Sequence, residues 1–152
     1  MQLNSIRNLE YHDYNKQYLD LLKYLSYCHF SDDKKKWDFF YFQNFIKNDN
    51  HHIFVIEDLE ANIIVASITL LIESKVIRNF SFVAHIEDLI VHKDYRKLGL
   101  AHQLINYCID ISKNHFSCYK IILNCDESLK SFYENYSFKQ KNIEMSLYFH
   151  IN

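Results

Sequence analysis

Gly99 is the only glycine in a chain of 152 residues that contains no proline at all. It stands in the run Tyr95-Arg96-Lys97-Leu98-Gly99-Leu100-Ala101-His102. The segment before it, Ile86-Glu87-Asp88-Leu89-Ile90-Val91, has the composition of a strand. The segment after it, from about Leu98, has the period of a helix. Leu100, Ala101, Leu104, Ile105, Cys108 and Ile109 fall at i, i+1, i+4, i+5, i+8 and i+9, one face of an amphipathic helix. A strand that turns into a helix through one retained glycine suits a backbone that leaves its N–H groups to an anion. The first helical turn carries orphan donors and a partial positive charge. Glycine adds no Cβ to keep phosphate oxygens away. Arg96 and Lys97 add formal charge beside those donors. A lone glycine in a basic loop is most often only a turn. Its place between strand and helix makes Arg96-x-x-Gly99-x-Ala101 a candidate pyrophosphate cradle.

The length allows one domain over residues 1–152 with a core of useful size. A net charge of −2 and a pI near 6.5 argue against a nucleic-acid-binding protein. No apolar run approaches the roughly 18 residues that span a membrane, so no membrane insertion is expected. Met1 to Arg7 has no apolar signal core, which points to a cytoplasmic address. Cys28, Cys108, Cys118 and Cys125 form no C-x-x-C and read as small buried hydrophobes in a reducing compartment. The nine histidines are scattered rather than spaced for chelation, so no metal site is expected.

Along the chain, Leu3 to Tyr11 can hold a short strand. Tyr14 to Tyr27 carries Tyr18, Leu21, Leu22 and Leu25 at helical spacing. Ser31-Asp32-Asp33 can cap a second helix through about Ile46. Lys34-Lys35-Lys36 reads as the solvated first turn of that helix. The aromatic run Trp37, Phe39, Phe40, Tyr41, Phe42 and Phe45 is too rich for one buried face and suggests core packing plus a subunit contact. Ile53 to Glu57 and Ile63 to Glu73 read as a hairpin turned by Asp58–Asn62, and Phe82 to His92 as a further strand. After the helix from Leu98 to about Asn114 come a buried strand, Tyr119 to Cys125, a short helix, Ser128 to Tyr136, and a last strand, Ile143 to Ile151. This order predicts an α/β fold with a mixed sheet.

The run Arg96-x-x-Gly99-x-Ala101 resembles the acetyl-CoA-dependent GNAT N-acetyltransferases. Three further segments resemble the aminosugar branch of that superfamily, whose members act on glucosamine 6-phosphate. They are Ala84 to Val91, Cys118-Tyr119-Lys120-Ile121-Ile122-Leu123-Asn124-Cys125-Asp126-Glu127, and Phe132-Tyr133-Glu134-Asn135-Tyr136-Ser137-Phe138. The resemblance implies the GNAT fold, a mostly antiparallel sheet with one splayed, bulged strand and flanking helices. It implies acetyl-CoA as cosubstrate, no metal, and glucosamine 6-phosphate as acceptor. Leu89, Ile90 and Val91 would be the splayed strand, whose backbone meets the thioester and the pantetheine arm. Arg96, Lys97, Leu98, Gly99, Leu100 and Ala101 would take the pyrophosphate. Tyr133 would assist the departing thiolate. Glu87 and Asp88 would face the sugar, with Ser26, Lys75, Arg78, Tyr119 and Lys120 around it and its phosphate. The family also forms dimers whose C-terminal strand crosses over, so a homodimer is implied.

Two positions depart from the family. Asn124 stands where an acidic residue is usual, and an amide cannot act as a base. Its backbone carbonyl can still orient an amine near the cofactor. Tyr148 stands where an arginine binds the phosphate, which moves that duty toward Arg78. Two rival functions remain open to the sequence: acetyl transfer to another amine, such as a protein N-terminus or a polyamine, and a non-catalytic acyl-CoA-binding module.

Overall fold

Three runs rich in β-branched residues, separated by short polar segments, form the centre of the sheet in the computed structural model. They are β2 (His51–Asp58), β3 (Ile63–Ser74) and β4 (Phe82–Val91), paired antiparallel in sequence order. The structure describes residues 1–25, 34–44 and 47–149. The chain divides into two compact units, Met1–Ile122 and Leu123–Asn152.

In the first unit, β1 (Arg7–Asn8) pairs antiparallel with β2 and β5 (Cys118–Ile122) pairs parallel with β4, giving the order β1-β2-β3-β4-β5. A parallel pair needs a long crossover, and α4 (Leu100–Asn114) provides it. The sheet is mixed and mostly antiparallel, as the sequence implies. Between β3 and β4 lies α3 (Ile77–Phe80), a single turn in which Arg78, Asn79 and Phe80 all have left-handed φ.

The strand period of two sorts the core into two layers. Ile53 and Val55 pack with Ile64, Ile90 and Leu9, with Tyr18 and Leu21 of α1 (Tyr18–Leu22), and with Trp37 of α2 (Lys34–Asn44). Phe54, between them in β2, points to the other face and meets Tyr107 of α4, with ring centroids 4.9 Å apart. The predicted face of α4 is the buried one: Leu100, Leu104, Ile105 and Cys108 are inside, with Ala101 and Ile109 half-buried at its margin. Burial pushes the Cys108 thiol up to about 12.

The N-terminal segment departs from its pattern. The strand expected over Leu3 to Tyr11 is reduced to a bridge from Leu3 to Asp58 and the two residues of β1. The helix expected from Tyr14 to Tyr27 becomes a 3-10 turn, Tyr11–Lys16, a left-handed Gln17, and the short α1. An ion network supplies the reason. Arg7 donates to both oxygens of the buried Asp13 at 2.7 and 2.8 Å and to Glu57 at 2.7 Å, while Lys16 reaches Glu57 at 2.7 Å. Asp13 also accepts the N–H of Glu10 at 2.8 Å, which winds the chain tightly. Burial pushes the Glu57 carboxyl up, but its bonds to Lys16 and Arg7 outweigh that and hold it below its ordinary value. Removing one partner from a buried pair of this kind costs roughly 3–5 kcal/mol.

Other expectations shift as well. β5 is half-exposed rather than buried, because it is the outermost strand of its sheet, and it ends at Ile122 rather than Cys125. Of the cysteines, Cys108 alone among the described residues is fully buried; Cys118 is half-buried and Cys125 exposed. In α2, Trp37 is buried while Phe39 is exposed. Ser26, Cys28, the Ser31-Asp32-Asp33 cap, Phe45 and Ile46 lie outside the described residues.

The second unit holds a 3-10 turn, Glu127–Leu129, and α5 (Lys130–Glu134), shorter than the helix expected over Ser128 to Tyr136. The strand expected over Ile143 to Ile151 is absent from its described part, 143–149, where Ile143, Met145, Leu147, Tyr148 and Phe149 are all exposed. A strand needs an edge to bond to, and none is paired with this segment among the described residues.

Candidate active site

The register of β4 against β3 contains one break. Pairing is regular from Ser74↔Phe82 to Thr69↔Glu87 and resumes at Ser67↔Ile90. One β3 residue, Ile68, therefore opposes two on β4, Asp88 and Leu89, and Asp88 takes a left-handed φ of 51°. This is a β-bulge, which bends its strand and re-aims the side chains beside it. The bulge was expected over Leu89 to Val91. It lies slightly earlier, at Asp88–Leu89, and leaves Ile90 and Val91 in register with Ser67 and Ala66.

The other edge of the same strand is open. β5 pairs with Phe82, Val83, Ala84 and His85, and among the described residues no strand pairs with Ile86–Val91 on that side. Such an edge can pair with an extended ligand that carries amides of its own. Glu87 is half-buried and Asp88 exposed at the bulge. The hydroxyl of Tyr18 in α1 is pushed well above the usual tyrosine value by burial first, with the Asp88 charge adding to the effect. Sequence reading gave Tyr18 only a place in the helical spacing of Tyr14 to Tyr27.

Past Val91 the chain makes a 3-10 turn, Lys93–Tyr95, and then an exposed loop. Lys97 and Gly99 have φ of 65° and 77°. The first bond of α4 runs from the N–H of Gln103 to the carbonyl of Gly99 at 3.0 Å. Among the described residues no backbone carbonyl accepts from the N–H of Lys97, Leu98 or Gly99. A Cβ added at Gly99 would meet nothing within 4 Å. The glycine is therefore not there to make room for the protein itself. Its left-handed φ and the open space above it fit a bound pyrophosphate, and Arg96 and Lys97 stand exposed beside it.

The cations predicted for a phosphate divide into two sets. Arg78 and Lys120 flank the Tyr119 ring, 5.9 and 5.7 Å from its centroid. Pairing of Val83 with Lys120 puts β5 in the register that allows this. Lys75 is instead ion-paired with Glu73, whose other oxygen meets Nε2 of His85 at 2.9 Å. Those two bonds hold the Glu73 carboxyl below its ordinary value.

In the second unit, Tyr133 is buried against Phe132 and Phe138, with centroids 5.0 and 6.1 Å away. Burial is the main cause that pushes its hydroxyl above the usual value, so it keeps its proton. Asn124 is exposed, two residues past the end of β5, and Tyr148 is exposed in the irregular 141–149 segment. Ser26 lies outside the described residues. Among the described residues no group of three metal-ligating side chains is present. The sequence reading missed Tyr95, whose hydroxyl donates to Asp58 at 2.8 Å. Its position next to Arg96 was the available signal.

An open, bulged strand that runs into a glycine loop and a helix defines an acyl-CoA-type acetyltransferase fold. The acetyltransferase (GNAT) family model matches residues 4–138, and the chain belongs to this family. It is 35% identical over 146 residues to glucosamine 6-phosphate N-acetyltransferase 1 of Dictyostelium discoideum, covering 95% of this chain and 90% of that one. It is 34% identical over 144 residues to the glucosamine 6-phosphate N-acetyltransferase of Arabidopsis thaliana, covering 95% of both. The crystal structure of the Arabidopsis enzyme superposes with a TM-score of 0.91 at 33% identity, covering 99% of this chain and 100% of that one.

Proposed function

We propose that this chain transfers acetyl from acetyl-CoA to the amine of D-glucosamine 6-phosphate, giving N-acetyl-D-glucosamine 6-phosphate and CoA, a step toward UDP-N-acetylglucosamine. The observation that carries the reading is the outer edge of β4 beyond His85, which no strand bonds among the described residues, followed after one 3-10 turn by the Gly99 loop. Relatives named for this reaction match the chain over nearly its whole length.

In this reading the backbone of Leu89, Ile90 and Val91 bonds the pantetheine amides. One N–H there holds the carbonyl oxygen of the thioester as it gains charge, a contribution worth about 3 kcal/mol for a well-placed donor. Arg96 to Ala101 hold the pyrophosphate. Glu87 and Asp88 bind the sugar and its amine. Tyr133, protonated at neutral pH, gives its proton to the departing thiolate; water takes the proton that the amine nitrogen loses as the amide forms, and solvent returns one to Tyr133. Asn124 offers its backbone carbonyl to orient the amine. The sugar amine is a weaker base than a lysine because neighbouring oxygens withdraw electron density. A neutral fraction is therefore available without a dedicated base.

Arg78 and Lys120 around Tyr119 are the phosphate locus, with Arg78 taking over from the arginine that Tyr148 replaces. Their charge favours an anionic acceptor and disfavours a polyamine, which they would repel. Lys75 acts through its pair with Glu73 at the margin of that locus. The second copy of a homodimer would cover the exposed apolar side chains Ile143, Met145, Leu147 and Phe149. No described helix is long and apolar enough to cross a membrane. A cytoplasmic address, where an exposed thiol such as Cys125 stays reduced, goes with this reading.

The test is thiol release from acetyl-CoA with glucosamine 6-phosphate, glucosamine and spermidine compared side by side. Glucosamine 6-phosphate should give a kcat/KM at least a hundredfold above either alternative. Equal rates with spermidine, or no release with any amine, would overturn the reading.

A further inference from the structure

We infer that Tyr95 is a positioning residue for the loop Arg96–Gly99, fixing the direction in which that loop leaves β4 through its hydroxyl bond to Asp58. The inference rests on the reading of Arg96–Ala101 as a pyrophosphate cradle and names what holds that cradle in place.

The loop is anchored at both ends and little in between. At its far end, α4 begins with the bond from Gln103 to Gly99. Between the anchors, Arg96 donates its N–H to the carbonyl of Lys93 and its Nε to that of Val91, both at 3.4 Å and near the limit of a useful bond. Two residues of this short stretch, Lys97 and Gly99, have left-handed φ. Such a stretch keeps one shape only if its ends are fixed.

Tyr95 is the fixed end before it. Its hydroxyl donates at 2.8 Å to Oδ2 of Asp58, which is almost wholly buried. Asp58 is itself immobilised, since its Oδ1 accepts the N–H groups of Gln2, Glu60 and Ala61 at 3.2, 3.1 and 3.4 Å. Hydrogen bonds to an ionised acceptor are among the stronger ones. The loop is thereby tied to the turn between β2 and β3, 37 residues away in sequence. The ring of His92 packs edge-on against both Tyr95 and Tyr24, each with centroids 5.6 Å apart. The N–H of His92 donates to the carbonyl of Val65 at 2.8 Å, and its Nδ1 accepts the N–H of Asp94 at 3.3 Å. Tyr95 is only half-buried and is no member of the buried α1–α2 cluster, so its hydroxyl is not needed to fill the core.

The test compares two acetyl donors on wild type and Tyr95→Phe: acetyl-CoA and S-acetylpantetheine, which keeps the thioester and the pantetheine arm but lacks the pyrophosphate. Wild type should use acetyl-CoA with a KM at least tenfold lower than that for S-acetylpantetheine. Tyr95→Phe should raise the KM for acetyl-CoA at least fivefold, leave kcat within twofold, and leave kcat/KM for S-acetylpantetheine within twofold. Asp58→Asn, which keeps an oxygen for the three backbone donors, should add no further rise when placed on Tyr95→Phe. An unchanged KM for acetyl-CoA in Tyr95→Phe overturns the inference alone. An equal loss with both donors does the same, because it marks a general disturbance of the fold. A wild type that does not discriminate between the donors overturns the cradle reading and the inference with it.

Discussion

The two halves of β4 belong to one strand and share one partner in β3, yet their other edges differ. Phe82 to His85 bond to β5 as well, and Val83 and Ala84 are fully buried. Ile86 to Val91 have no strand on that edge among the described residues, carry the extra residue of the bulge, and hold Glu87 and Asp88. The difference separates what holds the fold from what does chemistry. Carboxylates in a sheet are costly where both edges are bonded and both faces covered. They are tolerable where the strand is bent and half-exposed. The same half runs into the loop that contains the chain's only glycine.

The largest effect expected from this division falls on turnover. The reading gives the leaving thiolate a proton from Tyr133, so Tyr133→Phe should lower kcat about 10²–10⁴-fold while changing either KM little. Its hydroxyl is raised above the ordinary tyrosine value near 10. It therefore stays protonated through neutral pH and loses its proton only above that value. The alkaline limb of the kcat profile should lie above about pH 10 in wild type and vanish in Tyr133→Phe. An unchanged kcat, with chemistry shown to be rate-limiting, would reduce Tyr133 to packing.

The bonded half of β4 should behave in the opposite way. Val83→Ala removes two methyl groups from a fully buried site and should cost about 2 kcal/mol in denaturant unfolding. The kcat of the folded fraction should hardly move. A large loss of kcat with intact stability would erase the contrast between the two halves.

A smaller effect is expected at the loop. Gly99→Val should weaken CoA at least tenfold, about 1.4 kcal/mol, in calorimetric titration. The fold should survive, because a Cβ added there meets no neighbouring atom within 4 Å, although the left-handed φ of 77° adds strain of about 1–2 kcal/mol. Unchanged affinity would remove the cradle from the account. The smallest effect is at Asn124, where Asn124→Ala should keep more than a tenth of the wild-type kcat, since the position is read as contributing its backbone carbonyl. A dead but folded variant that still binds CoA would make the side chain essential.

Much of this was legible in the residues because the signals are local. The apolar face of α4 follows from spacing within one helix, and Gly99 is conspicuous because no other glycine competes with it. The strands β2, β3 and β4 appear within two or three residues of their observed ends. What escaped depends on contacts remote in sequence. Arg7 and Glu57 are 50 residues apart, and no periodicity near Tyr14 announces that their network breaks the first helix. The bulge was placed late because it is set by how β3 pairs with β4, and Asp88 adopts its left-handed φ without a glycine to mark it. Tyr95 and Asp58 were read as loop and turn because their bond joins two segments that sequence treats separately. The apolar alternation from Ile143 suggested a strand, but alternation cannot supply the neighbouring edge that a strand requires.

The most direct test of the division of β4 is hydrogen exchange of the intact protein, resolved by peptide, with and without acetyl-CoA. Amides in 86–91 and 96–102 should gain protection on binding. Those in 82–85, already bonded on both edges, should not change. Protection confined to other segments, with 86–102 unaffected at saturating acetyl-CoA, would contradict the account.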